Sequence, residues 1–351
     1  MVPDVIITVI RKGAPVVVEA GQQVARRFQV LSLDGGGILG IFTAALLAGL
    51  EDDLGSPILD HFDLVVGTST GGIVAAALGA GLSPDEIVDM YVSEMRTIFP
   101  GPRRLRSTKG LIRPKYRTDG LQSLLQRQFG DRILGESKVP LVIPSFDIGE
   151  NKVYLFKTPH HDRLRRDWRV PFWQVAMATC AAPTFFPAFN LPSDHVRLID
   201  GGVWANNPAM VGVVEAVSMF GQALDSIRVL SLGTTADNRS RKRRLDNGGL
   251  LQWVRSPNVV NVLLTGQSEG AFTQVQHLIG PQNAFRLNPQ APSGLARLDA
   301  ADARDLKAKA AYHSRFFSPT FEAVFADQLS APYRPLYGPT IESRYPSVQR
   351  S

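Results

Sequence analysis

The sequence is poor in cysteine and has no long hydrophobic run. Cys180 is the only cysteine among 351 residues, so the chain forms neither an internal disulfide nor a cysteine-based metal site. No stretch reaches the roughly 18 apolar residues that a membrane-spanning helix needs. The apolar run at residues 5–10 is too short for a signal-peptide core, and its basic residues, Arg11 and Lys12, follow it rather than precede it. We therefore expect a cytoplasmic protein.

The positive charge is unevenly distributed, and no zinc-finger, basic-zipper or RNA-recognition pattern accompanies it. The formal net charge is +6. Basic residues form three clusters: Arg103, Arg104, Arg106, Lys109, Arg113, Lys115 and Arg117; Arg163, Arg165, Arg166 and Arg169; and Arg239, Arg241, Lys242, Arg243 and Arg244. Such clusters are typical of solvated loops, and they also suit an anionic membrane or a small anionic ligand. We expect no specific nucleic-acid partner.

A glycine-flanked serine stands between a short apolar run and an alanine-rich segment. Residues 64–66 are typical of a buried strand, and the segment that starts at Gly72 is typical of a buried helix. The turn between them, Gly67-Thr68-Ser69-Thr70-Gly71, matches the G-x-S-x-G pattern of a nucleophile elbow. We predict that Ser69 is exposed at the helix N-terminus, where amide groups stabilise negative charge. The alternative is a glycine-rich turn in which the serine is structural.

A second glycine-rich turn, which we call the glycine loop, comprises Asp34-Gly35-Gly36-Gly37-Ile38-Leu39-Gly40. It follows a predicted strand at 28–33 and precedes a predicted helix at 41–54. The spacing G-x-G-x-x-G suits a dinucleotide site, but that site also needs an acid at the end of the next strand, and Asp60 and Asp63 precede the strand instead. The other interpretation is an oxyanion hole, because consecutive glycines let backbone amides point at one oxyanion.

The serine needs a base, and the sequence leaves two candidates open. Asp200 follows a predicted strand at 196–199, and we expect this strand end to meet those before Ser69 and the glycine loop at one edge of the sheet. One mechanism is a Ser-Asp-His triad that uses His277 or His313, although both lie in helical patterns. The other is a Ser-Asp dyad, in which burial raises the pKa of the Asp200 carboxyl and makes it a useful base.

The remaining pattern predicts an α/β fold with a mostly parallel sheet. Further strands are expected at 141–147, 152–156 and 226–232, the first two joined as a hairpin. Further helices are expected at 84–99, 118–129, 171–182, from 208 to about 220, and at 259–277, 300–314 and 319–329. Three aromatic residues after the fifth helix, Phe185, Phe186 and Phe189, suit either the core or an acyl-chain pocket.

Taken together, the motifs resemble those of the patatin-like phospholipase family. They are the glycine loop, the turn around Ser69, Ala178-Thr179-Cys180-Ala181-Ala182-Pro183, and Asp200-Gly201-Gly202 with Asn206-Asn207-Pro208. They occur in the family's order and cover residues 28–235. The resemblance implies a three-layer α/β/α fold and hydrolysis of phospholipid acyl esters without a metal or organic cofactor. It also implies Ser69 as nucleophile, Asp200 as base, and an oxyanion hole formed by Gly35, Gly36 and Gly37.

Two features extend or qualify the resemblance. The family usually has Arg or Lys where this chain has Leu39, which leaves the backbone amides alone at that point unless an arginine of the first basic cluster substitutes. The layout is an N-terminal strand or hairpin extension at 1–27, a catalytic core at 28–235 and a mainly helical extension at 236–351. It resembles phospholipase effectors of bacterial cyclic-oligonucleotide antiphage systems, which implies a cyclic-oligonucleotide activator, peripheral membrane contact and a homo-oligomer. The rival interpretations are an unregulated lipase, a nucleotide-binding module that uses the glycine loop, and a non-catalytic storage protein.

Overall fold

The computed structural model of the chain describes residues 26–98, 114, 116–192, 196–237, 258–291 and 302–339. The expected hairpin near the N-terminus, most of the first basic cluster and all of the third lie outside these residues. In chain order, the strands are β1 (Phe28–Leu33), β2 (Leu64–Gly67), β3 (Leu141–Asp147), β4 (Lys152–Lys157), β5 (Phe189–Leu191), β6 (Val196–Asp200), β7 (Ile227–Leu232), β8 (Ala236–Asp237), β9 (Ala284–Leu287) and β10 (Gln290–Ala291). The helices are α1 (Gly40–Leu54), α2 (Thr70–Gly79), α3 (Pro84–Ile98), α4 (Asp119–Phe129), α5 (Phe172–Thr179), α6 (Gly202–Ala205), α7 (Ala209–Ser218), α8 (Asn258–Ile279) and α9 (Ala303–Val324).

Five parallel strands form the centre of the main sheet, in the order β3-β2-β1-β7-β9. Every residue of β1 is buried, because helices cover both faces of the sheet and each face requires apolar side chains. Antiparallel strands complete one side: β4 and β6 both pair with β3, and β5 pairs with β6. The predicted α/β class and the mostly parallel sheet are confirmed.

The two faces of β1 pack against different helical layers. Leu31 and Leu33 belong to the larger core, which also contains side chains of α1, α2, α3, α5 and α9. Phe28 and Val30 face the smaller core, which α7 and α8 cover. The alternation follows from the two-residue period of a strand and produces three layers, α/β/α. Within the described residues, no helix combines the length and the hydropathy that a bilayer-spanning segment requires.

The part of the chain after residue 235 departs from the predicted helical extension in two ways. β9 was not expected, yet it pairs in parallel with β7 inside the main sheet. The two helices predicted at 300–314 and 319–329 are a single helix, α9, which contains Pro319. Its buried residues, which include Leu306, Phe317 and Phe321, pack against the core around α1 and outweigh the hydrogen bond that the proline removes.

Candidate active site

Ser69 lies in a sharp turn between β2 and α2, as the sequence predicts. Its backbone has φ 55° and ψ −122°, a conformation that residues other than glycine rarely adopt. Both flanking glycines are required by close packing. A Cβ atom on Gly67 would lie 2.2 Å from the Gly71 carbonyl oxygen, and one on Gly71 would lie 2.3 Å from the Leu33 carbonyl oxygen. The turn therefore presents the serine at the N-terminal, electropositive end of α2.

The turn is fixed by a buried threonine on the neighbouring helix. The Ser69 amide donates to the Thr179 hydroxyl at 2.9 Å, and that hydroxyl donates to the Pro144 carbonyl at 2.7 Å. Thr179 belongs to the Ala178–Pro183 motif, whose role the sequence alone did not reveal. It joins the serine to β3 and so holds the strained backbone in place.

The Ser69 hydroxyl donates to the carboxylate of Asp200, with 2.6 Å between Oγ and Oδ2. The other carboxylate oxygen, Oδ1, accepts from the Gly202 amide at 2.7 Å. Asp200 ends β6, which is antiparallel to β3 and therefore runs opposite to β2. Asp200 still reaches Ser69 because β3 extends past β2: Val66 pairs with Val142, whereas Asp200 pairs with Ser145.

Burial is the main influence on the Asp200 carboxyl group. Asp200 is only 5% exposed, and loss of water raises its pKa to about 6, although the hydrogen bonds from Ser69 and Gly202 oppose the rise. At neutral pH the group is therefore ionised, yet it is a stronger base than an exposed aspartate. Such a pKa suits proton transfer near neutrality.

The glycine loop lies beside Ser69, but its three amides are not equivalent. The Gly35 amide already donates to the Asn206 carbonyl at 2.9 Å, which corrects the expectation that Gly35 supplies an oxyanion donor. Gly36 and Gly37 both line the cavity at Ser69, and their amides have no hydrogen-bond partner among the described residues. Gly37 has φ 58°, a conformation that favours glycine.

Neighbouring side chains confine the glycine loop on two sides. A Cβ atom on Gly35 would lie 2.5 Å from Asn206 Oδ1, and one on Gly36 would lie 2.0 Å from Thr234 Oγ1. The Thr234 hydroxyl also donates to the Gly35 carbonyl at 3.2 Å. The loop therefore needs glycine for close approach, and its amides are held in position before any ligand arrives.

A cavity of about 320 Å³ opens from Ser69 and has mostly apolar walls. The residues that line it are Gly36, Gly37, Ser69, Thr70, Ile73, Tyr91, Leu121, Cys180, Ala182, Pro183, Thr184, Phe185, Phe186, Asp200, Gly202, Val203, Asn206, Leu263 and Leu264. Phe185 and Phe186 thus contribute to the cavity, whereas Phe189 packs against Trp173. Leu263 and Leu264 come from α8, whose contribution the sequence analysis did not anticipate.

A second nucleophilic group, Cys180, lies in the same cavity. It is buried, and both burial and the nearby Asp200 carboxylate raise the pKa of its thiol well above the usual value. The thiol therefore stays protonated at neutral pH and is a poor nucleophile. Ser69 is the better candidate because it has a base within hydrogen-bond distance.

Neither candidate histidine lies at the site. His277 is exposed near the end of α8, thirteen residues beyond Leu264, which corresponds to about 20 Å along a helix. His313 is buried in α9, with its ring 6.2 Å from that of Phe42. No described histidine lines the cavity. The geometry therefore favours the Ser-Asp pair over the triad.

Leu39 is buried in the larger core, and as an uncharged residue it cannot supply the cation that the family usually has at this position. Of the first basic cluster, the described Arg117 is exposed and pairs with Asp119. A different arginine, Arg286 in β9, binds the first residue of the glycine loop, Asp34. Arg286 was not among the predicted site residues because it lies in a short strand that the sequence pattern does not reveal.

A serine on a strand–helix turn, bonded to a buried carboxylate beside an apolar cavity, defines the site of an α/β protein of the serine-hydrolase type. The sequence model of the patatin-like phospholipase family matches residues 31–213, and the chain belongs to this family.

Several curated relatives share this region. A cGAMP-activated phospholipase of Pseudomonas aeruginosa is 36% identical over 211 residues, which are 59% of this chain and 62% of the relative. A cGAMP-activated phospholipase of Vibrio cholerae is 32% identical over 62% of this chain and 67% of the relative. Patatin-like protein 2 of Arabidopsis thaliana is 32% identical over 67% of each chain. The matched regions therefore span about two thirds of the length of these relatives.

Proposed function

We propose that this protein is a lipid acyl hydrolase of the phospholipase A type that uses Ser69 and Asp200 as a catalytic dyad. The observation that carries the proposal is the 2.6 Å hydrogen bond from Ser69 Oγ to Asp200 Oδ2 at the end of an apolar cavity. Because the carboxylate already accepts the hydroxyl proton, it is placed to remove that proton as Oγ attacks an acyl carbonyl carbon.

The remaining steps follow from the same groups. The developing oxyanion accepts hydrogen bonds from the Gly36 and Gly37 amides, while α2 points its positive end at Ser69. As the carbon–oxygen bond of the ester breaks, protonated Asp200 returns its proton to the leaving alkoxide. A water molecule then gives a proton to Asp200 as its oxygen attacks the acyl-enzyme carbonyl carbon. Protonated Asp200 returns that proton to Ser69 Oγ as the bond to the acyl group breaks, which releases the fatty acid.

The cavity supports an acyl chain as the substrate group. Its lining is largely aliphatic and aromatic, and apolar walls bind hydrocarbon better than they bind a charged head group. Membrane phospholipids supply such chains at a surface, so we propose that the protein acts peripherally on the cytoplasmic side of a membrane.

The test is fatty-acid release from mixed phospholipid vesicles, measured by mass spectrometry. Wild type should release fatty acid, whereas Ser69→Ala and Asp200→Asn should not. His277→Ala is the matched control, because that residue is exposed and distant from the cavity, and it should behave as wild type. Loss of release in His277→Ala with the fold intact would favour the triad. Absence of release by wild type, together with inertness of Ser69 to a fluorophosphonate probe, would refute the hydrolase.

A second element of the proposal is activation by a cyclic oligonucleotide. It is supported by the names of the Pseudomonas aeruginosa and Vibrio cholerae relatives, both cGAMP-activated phospholipases. The plant relative is 32% identical, as the Vibrio cholerae relative is, and its name mentions no activator. Fatty-acid release must therefore be compared with and without the nucleotide. Release that requires cyclic GMP–AMP would support the activated enzyme, and equal release without it would indicate an unregulated lipase. Size-exclusion chromatography with the nucleotide present and absent tests the proposed homo-oligomer.

A further inference from the structure

The mouth of the apolar cavity is formed by parts of the chain that carry no charge. Three segments contribute to it: residues 179–192 after α5, residues 201–214 around α6 and α7, and residues 258–268 in the first half of α8. None of them contains Asp, Glu, Lys, Arg or His, although one residue in five of the whole chain is charged. Many residues of these segments are buried, and burial alone explains why those residues carry no charge. Surface residues normally include charged ones, yet the exposed residues of these segments are uncharged as well: Pro183, Thr184, Pro187, Asn190, Pro192, Val203, Val214, Leu263, Thr265 and Gly266.

Two apolar side chains at this mouth are exposed while they also line the cavity. Leu263 on α8 is 66% exposed, and Val203 on α6 is 48% exposed. Pro183 and Thr184 lie at the same opening and are exposed as well. Apolar surface is therefore continuous from the outside of the protein to the Ser69 hydroxyl.

We propose that this uncharged mouth, comprising Pro183, Thr184, Val203 and Leu263, is the surface that docks on a phospholipid bilayer. The inference rests on the proposed function, since it names the surface through which that substrate arrives. An acyl chain that leaves a bilayer must stay out of water, and the uncharged rim gives it an apolar path into the cavity. A charged side chain at this position would have to be desolvated, which explains why none of the exposed described residues in the three mouth segments is charged.

The positive charge elsewhere on the chain favours binding to a bilayer that contains anionic lipids. The net charge of +6 resides outside the three mouth segments, so it attracts an anionic surface without entering it. We therefore expect stronger binding to vesicles that contain phosphatidylglycerol than to vesicles of phosphatidylcholine alone, and we expect the difference to shrink at high salt.

The experiment measures vesicle binding without hydrolysis, by co-sedimentation of the full chain carrying Ser69→Ala. To this background we add either Leu263→Glu or Leu278→Glu, each with and without cyclic GMP–AMP. Both leucines are exposed on α8, but Leu278 lies fifteen residues further along, about 22 Å from the mouth. Leu263→Glu should weaken binding by about 10- to 100-fold, because it removes an apolar side chain that the bilayer would bury and introduces a charge. Leu278→Glu should bind as its parent does.

Equal binding of the two glutamate variants would overturn the proposal, as would failure of the Ser69→Ala parent to bind vesicles with the nucleotide present or absent. If Leu263→Glu instead dissociates a dimer seen by light scattering and leaves vesicle binding intact, the mouth is covered by a second copy of the chain. The proposed function is tested separately with wild type on a soluble short-chain ester. Hydrolysis of that ester with no effect of Leu263→Glu on binding would refute the docking surface alone.

Discussion

Arg286 forms a buried, two-pronged ion pair with Asp34, the first residue of the glycine loop. Nη2 lies 2.7 Å from Oδ2, and Nη1 lies 3.3 Å from Oδ1. The arginine also donates to the Ser231 hydroxyl at 2.7 Å. It belongs to β9, which lies outside the residues matched by the family model. The loop that carries the proposed oxyanion donors is therefore fixed by a strand beyond the recognisable motifs.

We predict that Arg286→Met destabilises the protein and slows turnover. Burial raises the pKa of Asp34, and Arg286 opposes that rise, so removing the arginine leaves a buried acid without its partner. The expected cost is about 3–5 kcal/mol in the free energy of unfolding, measured with urea. We also expect kcat to fall more than KM changes, because in the proposed mechanism the loop amides stabilise the transition state.

Two variants distinguish positioning from general instability. Asp34→Asn combined with Arg286→Met should recover part of the lost stability, because no unpaired charge remains. Arg127→Met, which breaks the exposed pair with Glu94, should cost no more than about 1 kcal/mol. A kcat for Arg286→Met that equals that of Arg127→Met would contradict a role in positioning the loop.

Activity should fall on the acid side of a midpoint near pH 6. The Asp200 carboxyl has a pKa of about 6, and below that pH it is protonated and cannot accept the Ser69 proton. For a soluble ester, kcat/KM should drop about tenfold per pH unit below the midpoint and level off above it. His277→Ala and His313→Ala should keep the same midpoint. A midpoint that shifts in either variant would assign the base to that histidine.

Asp200→Asn should abolish activity but increase stability at high pH. The pKa of Asp200 is about 6 in the folded state and 3.8 in the unfolded state. Its contribution to the free energy of unfolding is therefore fully present below pH 3.8 and is lost as the pH rises through about 6. Converted at 1.36 kcal/mol per pKa unit, the loss is about 3 kcal/mol. Asparagine has no such loss, so Asp200→Asn should be more stable than wild type at pH 8 and about equal at pH 4. If Asp200→Asn were less stable than wild type at pH 8, ionised Asp200 would not be destabilising the folded protein.

Gly36→Ala should impair catalysis because the added methyl group would lie 2.0 Å from Thr234 Oγ1. The loop must shift, and loss of one oxyanion donor costs about 10²–10³-fold in kcat. Thr234→Gly in the same chain removes the clash and should restore part of the rate. Gly270→Ala is the control: outside the adjacent backbone of α8, no atom of the described residues lies within 4 Å of the new Cβ position, and the change should stabilise α8 by about 0.5–1 kcal/mol. Full activity of Gly36→Ala would remove the loop from the mechanism.

The sequence predicted those parts of the site that depend on local geometry. The turn around Ser69 was predictable because Gly67 and Gly71 are required by its tight backbone, and α3 because Ser83 and Glu86 form reciprocal capping hydrogen bonds. The closeness of Asp200 to Ser69 was expected, and the two side chains are in contact, but the antiparallel direction of β6 was not predictable because strand direction is a property of the whole sheet. Arg286, Leu263 and Leu264 were missed because their roles depend on contacts with residues more than fifty positions away.

The parallel pairing of β7 with β9 limits how far the chain can be truncated from its C-terminal end. A chain cut after residue 235 would keep every recognisable motif but would lose the strand that covers β7. The exposed row of β7 amides and carbonyls would then be open to pairing with other molecules, and Asp34 would lie buried without Arg286. We therefore expect the shortened protein to aggregate, and we expect the smallest unit that stays in solution to extend at least through Leu287.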